Sequence, residues 1–272
     1  MDNKIIHIST INSSLINSTS HFSFTMDNTI KDVIDLKLKS IEIPSNPYVF
    51  KDSIYKNTTF VLIDKDKKEH IIKIKDGNYK EDQLSKEIND KIKLLNLNYD
   101  ITLEYDEITG ICSFIGSNVF SLKFPIITKT SLGNNLGFRK TEYDFKKIHV
   151  AEKALNLNPL QVYFLKINDW GKIITQYDDK VFAKLVLNRD SDICHPYTNK
   201  VSITSPNVLN ERPVNLTRFE VAILDEYGNL VDFMGLDVSL SLEIVHIRSA
   251  NKKEEIYEQL LETYSDISFF KK

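Results

Sequence analysis

The sequence lacks the excess of positive charge that nucleic-acid-binding proteins carry. Its 272 residues include 35 lysines and arginines and 38 aspartates and glutamates, which give a formal net charge of −3. A chain with this balance has no overall positive field to attract nucleic acid or an anionic membrane surface. We therefore expect no nucleic-acid partner.

The sequence also lacks any apolar run close to the ~20 residues that span a bilayer, and its first residues match neither a signal peptide nor a transit peptide. Its hydrophobic content of 42%, with 10% aromatic residues, is sufficient for a packed core. We expect a soluble, folded protein that is made in the cytoplasm.

Cysteine is scarce, and the residues that usually carry catalysis are dispersed. The two cysteines, Cys112 and Cys194, stand in unrelated contexts, and we interpret both as reduced thiols. Cys194 precedes His195, but the side chains of sequence neighbours point apart and rarely act as nucleophile and base. No His-x-His or His-x-x-x-His pair suitable for a metal occurs among the six histidines. These are His7, His21, His70, His149, His195 and His246. The sequence therefore predicts no metal, no cofactor and no catalytic residue, and a cupin-like metal enzyme is the alternative.

Two aspartate pairs, Asp64 with Asp66 and Asp190 with Asp192, imitate the start of a calcium-binding loop. The first lacks the glycine and the final glutamate of such a loop, and the second runs into Ile-Cys-His-Pro. Both are predicted to be charged turns. The single tryptophan, Trp170, lies at a predicted strand end, where a core position is more usual than a platform for stacking sugars.

Alternating hydrophobic residues dominate the C-terminal half of the chain. Apolar and polar side chains alternate from Val238 onward, and the same period-2 pattern runs through Arg218–Ile223. Between these runs, Asp225–Asn229 contains the Asp, Gly and Asn residues typical of a turn. The pattern predicts two long antiparallel strands over Arg218–Ile247 that complete a β core made earlier in the chain.

The rest of the chain predicts further strands and one helix before the C-terminus. Over residues 81–95, Leu84, Ile88 and Ile92 share one helical face, and acidic residues occupy the first turn. Residues 131–138 are predicted as a loop or a short turn of helix. The predicted hairpins span 21–43, 59–74 and 101–115, and the further strands span 120–124, 160–167 and 181–187.

Three segments are predicted to lie outside the β core. Residues 1–20 suit an extended arm that becomes ordered on a neighbour, and residues 188–217 suit a long exposed loop that serves as a contact surface. Asn251–Tyr264 has the pattern of an amphipathic helix and is followed by an apolar tail. We predict subunit contacts through the apolar residues of this C-terminal segment, which are Ile256, Leu260, Tyr264, Phe269 and Phe270.

Several short motifs follow one another in a definite order. They are Asp76–Tyr79 leading into a helix with Asn89, the triplet Leu136–Phe138, and Asp225–Gly228 followed by Asp232–Leu236. In this order, over residues 20–247, they resemble single jelly-roll penton and minor capsid proteins of large double-stranded DNA viruses, of giant-virus or polinton-like lineage. Two features depart from that pattern: Lys80 replaces the expected small hydroxyl residue at the helix start, and Asn251–Lys272 has no counterpart.

The resemblance implies an all-β fold, a single jelly-roll β-sandwich of two packed antiparallel sheets with one inserted amphipathic helix and a C-terminal helical tail. The implied domains are an N-terminal arm (1–20), a jelly roll (21–248) with an insertion at about 76–140, and a C-terminal helix and tail (249–272). The implied function is that of a structural, non-enzymatic virion protein, the penton of an icosahedral capsid. Its partners would be itself, as a homopentamer, together with the major capsid protein and other minor capsid proteins. The alternatives are another minor capsid protein or a receptor- or glycan-binding virion jelly roll.

Overall fold

The structure is a computed structural model, and it describes residues 2–44, 47–124, 130–158, 160–177, 179–187, 197–198, 201–206 and 212–247. Strands dominate these residues, and every strand pair in the described ranges is antiparallel. The prediction of an all-β fold with packed antiparallel sheets and few helices is confirmed.

The helices are α1 (Asp52–Tyr55), α2 (Glu81–Lys93) and α3 (Leu132–Asn135), and a 3-10 turn covers Thr10–Asn12. The strands are β1 (Asp2–Ser9), β2 (Ser14–Ser18), β3 (His21–Pro44), β4 (Thr59–Ile63), β5 (Glu69–Lys73), β6 (Ile101–Asp106), β7 (Ile111–Lys123), β8 (Glu142–Ala154), β9 (Val162–Ile167), β10 (Ile173–Ile174), β11 (Lys180–Val181), β12 (Ala183–Leu187), β13 (Tyr197–Thr198), β14 (Val201–Thr204), β15 (Val214–Asp225) and β16 (Ser239–His246).

The chain forms two compact units. The first unit contains the residues up to Pro47 and those from Leu160 onward, and the second unit is Tyr48–Pro159. The second unit therefore interrupts the first, and it extends beyond the range 76–140 suggested for an insertion. The β4–β5 hairpin explains the wider boundary, because β4 pairs with β7 inside the same sheet.

The first unit is built around β3, a single strand of 24 residues. Its first half pairs with β15 and its second half with β16, so that the sheet order is β1-β16-β3-β15-β9-β12-β14. The predicted hairpin over 21–43 is therefore wrong: β3 passes through the presumed turn with register irregularities and a positive φ of 56° at Asp32. The predicted pairing within Arg218–Ile247 is also wrong, since β3 separates β15 from β16. The turn between them is present, with Gly228 at φ 85°.

One apolar core joins distant strands of this sheet. Ile8 of β1, Leu242 of β16, Phe219 of β15 and Leu187 of β12 all belong to a single buried cluster. Because β1 and β12 lie near opposite edges, one sheet face must curl over and pack against itself. Trp170 is part of the same core.

The N-terminal segment is part of the sheet and not an arm. β1 pairs with β16 in unbroken register from Asp2 to Ser9, and β2 pairs with the first half of β3. Ile8 is fully buried and Ile6 packs against the core, so alternate side chains of β1 hold it in place. The expectation of an arm failed because only two inward positions of β1 are strongly apolar, a weak signal among Ser, Asn and Lys.

The second unit packs α2 against a five-stranded sheet of order β5-β4-β7-β6, with β8 also paired to β7. The predicted helix and the hairpins β4–β5 and β6–β7 are confirmed. Leu84, Ile88 and Ile92 of α2 are buried in the core of this unit. Lys80 precedes the helix, and its backbone N–H donates to Gln83 Oε1 at 3.0 Å, which is the glutamine half of a capping box. The lysine side chain has no acceptor, so the bond that a hydroxyl residue would have accepted from the first turn is not replaced.

Three other regions differ from expectation. The predicted loop 188–217 contains β14, which pairs with β12, and ends inside β15. β8 was not anticipated, because most of its side chains are exposed and its alternation is weak. Residues 111–123 form one strand where two had been expected.

Candidate interaction surface

The predicted subunit contacts Ile256, Leu260, Tyr264, Phe269 and Phe270 lie outside the described residues. The same holds for Cys194-His195 and for the aspartate pair at 190 and 192. Their roles therefore stay predictions. The described residues allow the remaining candidates to be placed.

The side chains considered for chemistry are structural wherever they are described. Trp170 is buried, which confirms the core position and removes the sugar-stacking platform. Burial raises the pKa of the Cys112 thiol to about 12, so this cysteine stays protonated and unreactive near neutral pH. Burial lowers the pKa of His149, which donates from Nε2 to the Phe120 carbonyl oxygen at 3.0 Å. Among the described residues, no three His, Cys, Asp or Glu side chains gather as a metal site would require.

Asp64 forms a charged turn, as predicted, and not a calcium loop. Its carboxylate accepts hydrogen bonds from the backbone N–H groups of Asp66 and Lys68 and from His70 Nε2, at 2.9, 3.0 and 2.9 Å. Burial acts to raise the pKa of Asp64, but these donors outweigh it and the pKa is lowered. The oxygens are thus engaged in closing the tip of the β4–β5 hairpin.

Two of the motifs on which the resemblance rests, Asp76–Tyr79 with Asn89 and the triplet Leu136–Phe138, make contacts within the second unit. Asn78 Oδ1 accepts from Val49 N–H at 2.8 Å, which fixes the approach to α2. Asn89 Nδ2 donates to the Leu103 carbonyl at 3.0 Å and Asn89 Oδ1 accepts from Leu103 N–H at 2.7 Å. Asn89 therefore completes the backbone hydrogen bonding of β6 on the edge away from β7.

Gly137, in the triplet Leu136–Phe138, makes a close approach to β8. It has a φ of 92°, and a Cβ built on it would lie 2.0 Å from the carbonyl oxygen of Lys153. Its own carbonyl accepts from the N–H groups of Glu152 and Lys153 at 3.1 and 3.0 Å. Only glycine fits this position, so the motif is explained by packing.

Exposed aliphatic side chains follow the outer edge of the first unit. We call β1, the turn Thr10–Asn12 and β2 the N-terminal edge. The exposed residues along it are Ile5, Ile11, Leu15 and Ile16. Such side chains on an edge strand are typical of surfaces that another molecule covers.

Local hydrogen bonds fix the shape of this edge. The Thr10 N–H donates to the Val238 carbonyl at 2.9 Å, and the Val238 N–H donates to Thr10 Oγ1 at 3.0 Å. Thr10 Oγ1 in turn donates to Asp237 at 2.7 Å. These bonds hold the turn against the start of β16, so that Ile11 is presented from a rigid corner.

A cavity of about 350 Å³ lies beside the corner. It is lined by His7, Ser9, Ile11, Glu42, Asp237, Val238 and Ser239. Its polar groups are bonded to neighbours: Ser239 Oγ donates to Glu42 at 3.1 Å, and His7 Nδ1 lies 3.3 Å from Ser241 Oγ. The arrangement suits a structural corner better than a ligand site.

The second unit has an exposed apolar strip of its own on β8. Phe145, Ile148 and Val150 are exposed. The alternating residues His149 and Ala151 are buried and point into the core. Within the described residues β8 pairs with β7 alone, so β8 is an edge strand of this sheet.

Comparison with known protein families finds no family model that matches this chain, and a search of curated proteins finds no significant match. In the part of the chain that the structure describes, no helix is long and apolar enough to cross a membrane.

Proposed function

We propose that this chain is a structural virion protein, the penton of an icosahedral capsid, which assembles as a homopentamer and contacts the major capsid protein and minor capsid proteins. In this role it has no enzymatic activity, and it resides in the virion after synthesis in the host cytoplasm. The order of motifs in the sequence is the source of the proposal, and an antiparallel β fold suits it.

The exposed N-terminal edge is the observation that carries the proposal. Shell proteins cover their strand edges with neighbouring subunits, and this edge presents aliphatic side chains from a rigid corner. Ile11 is 72% exposed there, so a second surface that covers it would remove apolar area from water. A position as another minor capsid protein would use the same edge.

Two features suggested the glycan-binding alternative, and one of them, Trp170, is buried and cannot serve as a stacking platform. The other feature, the region 188–217, lies about half outside the described residues. Assembly through the N-terminal edge is therefore the interpretation that the described residues support best.

The test is the mass of the purified protein in solution and its place in particles. We expect a species of about five times the 31.5 kDa chain mass, and density for the chain at five-fold vertices. Ile11→Lys should shift the protein toward monomer, because a lysine at this position must be desolvated in the interface. The matched control is Ile174→Lys, since Ile174 is 71% exposed in the same unit but lies away from the N-terminal edge. A chain that stays monomeric at all concentrations and is absent from particles contradicts the proposal.

A further inference from the structure

A small apolar cluster lies on the sheet face away from the main core of the first unit. Along β16, Leu240, Leu242 and Ile244 point into that core, so Val245 and the following Ile247 point to the opposite face. There they join Ile34 in a cluster separate from both main cores. All three side chains are buried, and Ile34 is fully buried.

Three side chains on one sheet face cannot bury one another this fully, so other atoms must cover them. The buried Lys172–Asp35 pair lies at one side of the cluster, since Asp35 is opposite Val245 in the ladder, and the rest of the cover must come from elsewhere. The cluster contains no other apolar member among the described residues. The chain continues from this point: the Ile247 N–H donates to the Asp32 carbonyl at 3.1 Å, and 25 further residues follow Ile247. The nearest supply of apolar side chains along the chain is therefore the C-terminal segment.

The sequence of that segment fits the cluster. In a helix over Asn251–Tyr264, Ile256, Leu260 and Tyr264 share one face. The opposite face is acidic and would remain in solvent.

We propose that the segment Asn251–Tyr264 docks on the Ile34, Val245 and Ile247 cluster of its own chain. The four Cα–Cα steps from Ile247 to Asn251 span at most about 14 Å, so the segment begins beside the cluster. A short tether gives an effective concentration in the millimolar range, which favours docking within one chain over docking between chains at micromolar concentration. Ile256, Leu260 and Tyr264 then serve the fold, and Phe269 and Phe270 are left for contacts with a neighbour.

The test uses the full-length protein with single substitutions in the segment. Leu260→Asp places a charge on the docking face, whereas Gln259→Asp places the same charge outside it. Hydrogen exchange of peptides covering Glu243–Ile247 should accelerate at least about tenfold in Leu260→Asp and stay at the wild-type rate in Gln259→Asp. Equal exchange in all three proteins would overturn the proposal.

Hydrogen exchange measured at two protein concentrations shows whether the cluster is covered by its own chain or by a second copy. Docking within one chain predicts the same protection at 1 and 100 µM, whereas protection that appears only at the higher concentration assigns the cluster to a second copy and overturns the proposal. The outcome of this experiment does not decide the proposed capsid role. A chain can occupy a vertex with or without this internal contact, and the Ile11→Lys experiment does not involve the segment.

Discussion

The buried ion pair between Lys172 and Asp35 allows a quantitative test of how the first unit is held together. Lys172 Nζ donates to Asp35 Oδ1 and to the Leu36 carbonyl, each at 2.9 Å, and lies 5.2 Å from the centre of the Phe182 ring. The Lys172 and Asp35 side chains are only 4% and 2% exposed. The pair ties the loop after β9 to the centre of β3.

Lys172→Met keeps most of the aliphatic stem but removes the ammonium group. The Asp35 carboxylate then stays buried, with Lys37 Nζ at 3.8 Å as a remaining cation, and the Leu36 carbonyl loses its donor. Breaking a buried pair in this way costs about 3–5 kcal/mol, a large share of the roughly 5–15 kcal/mol that stabilises a typical domain. We expect the free energy of unfolding to fall by that amount.

Urea unfolding followed by tryptophan fluorescence provides the measurement. Trp170 is the only tryptophan in the sequence and is buried in the core of the first unit, so its signal reports the unfolding of that unit. The control is Lys166→Met: Lys166 Nζ pairs with Asp179 at 3.1 Å, but these side chains are 36% and 39% exposed. An exposed pair contributes about 0–1 kcal/mol, so the control should change the midpoint little.

The double variant Asp35→Asn/Lys172→Met tests the cause of the loss. If the cost comes from an unpaired buried charge, neutralising Asp35 recovers about 1–3 kcal/mol relative to Lys172→Met alone. A loss below about 1 kcal/mol in Lys172→Met, or a double variant whose cost is the sum of the two single costs, would refute this reasoning.

Three further predictions concern the second unit and the turns. Gly137→Ala should lower the melting temperature well beyond Gly235→Ala, because both residues have positive φ but an added Cβ meets backbone only at position 137. Asn89→Ala should cost about 1–3 kcal/mol in urea unfolding by circular dichroism, since it leaves β6 backbone groups unpaired, while Lys86→Ala on the same helix should cost under about 0.5 kcal/mol. The lowered pKa of Asp64 stabilises the fold above about pH 4, and this contribution is lost as the pH falls through the folded-state pKa. In Asp64→Asn, the free energy of unfolding should therefore fall less steeply as the pH drops below 4, by up to about 1.4 kcal/mol per pH unit. A slope equal to that of the wild type would contradict the prediction.

Local structure in this protein was predictable where a pattern is complete within one segment. α2 has three apolar residues on one face, and the β6–β7 hairpin contains its own turn, so neither depends on distant residues. The pairing of distant strands was not predictable in the same way. β3 contains turn-forming Asp and Asn residues in its middle, but its two halves bind β15 and β16, more than 170 residues away along the chain. Tertiary pairing outweighs local turn preference there.

The N-terminal residues were expected to meet a neighbour, and this stays a prediction. The structure shows that their aliphatic side chains are exposed. Their attachment to β16 was missed, because Ile6 and Ile8 alone give a short alternation. The β8 strip was missed altogether, since a strand with most side chains in solvent lacks the period-2 contrast on which sequence analysis depends.

The place of β1 in the sheet limits how the N-terminal edge can take part in assembly. Releasing β1 as an arm would break an eight-residue ladder with β16 and would expose the fully buried Ile8. Each backbone hydrogen bond contributes about 0.5–1.5 kcal/mol, and exposing one isoleucine costs about 1.5–3 kcal/mol, so release costs several kcal/mol. A neighbour would have to supply an equivalent ladder to offset that cost. Contact through the side chains that already point outward, above all Ile5 and Ile11, needs no such exchange, so the proposed assembly would cost less through the intact edge.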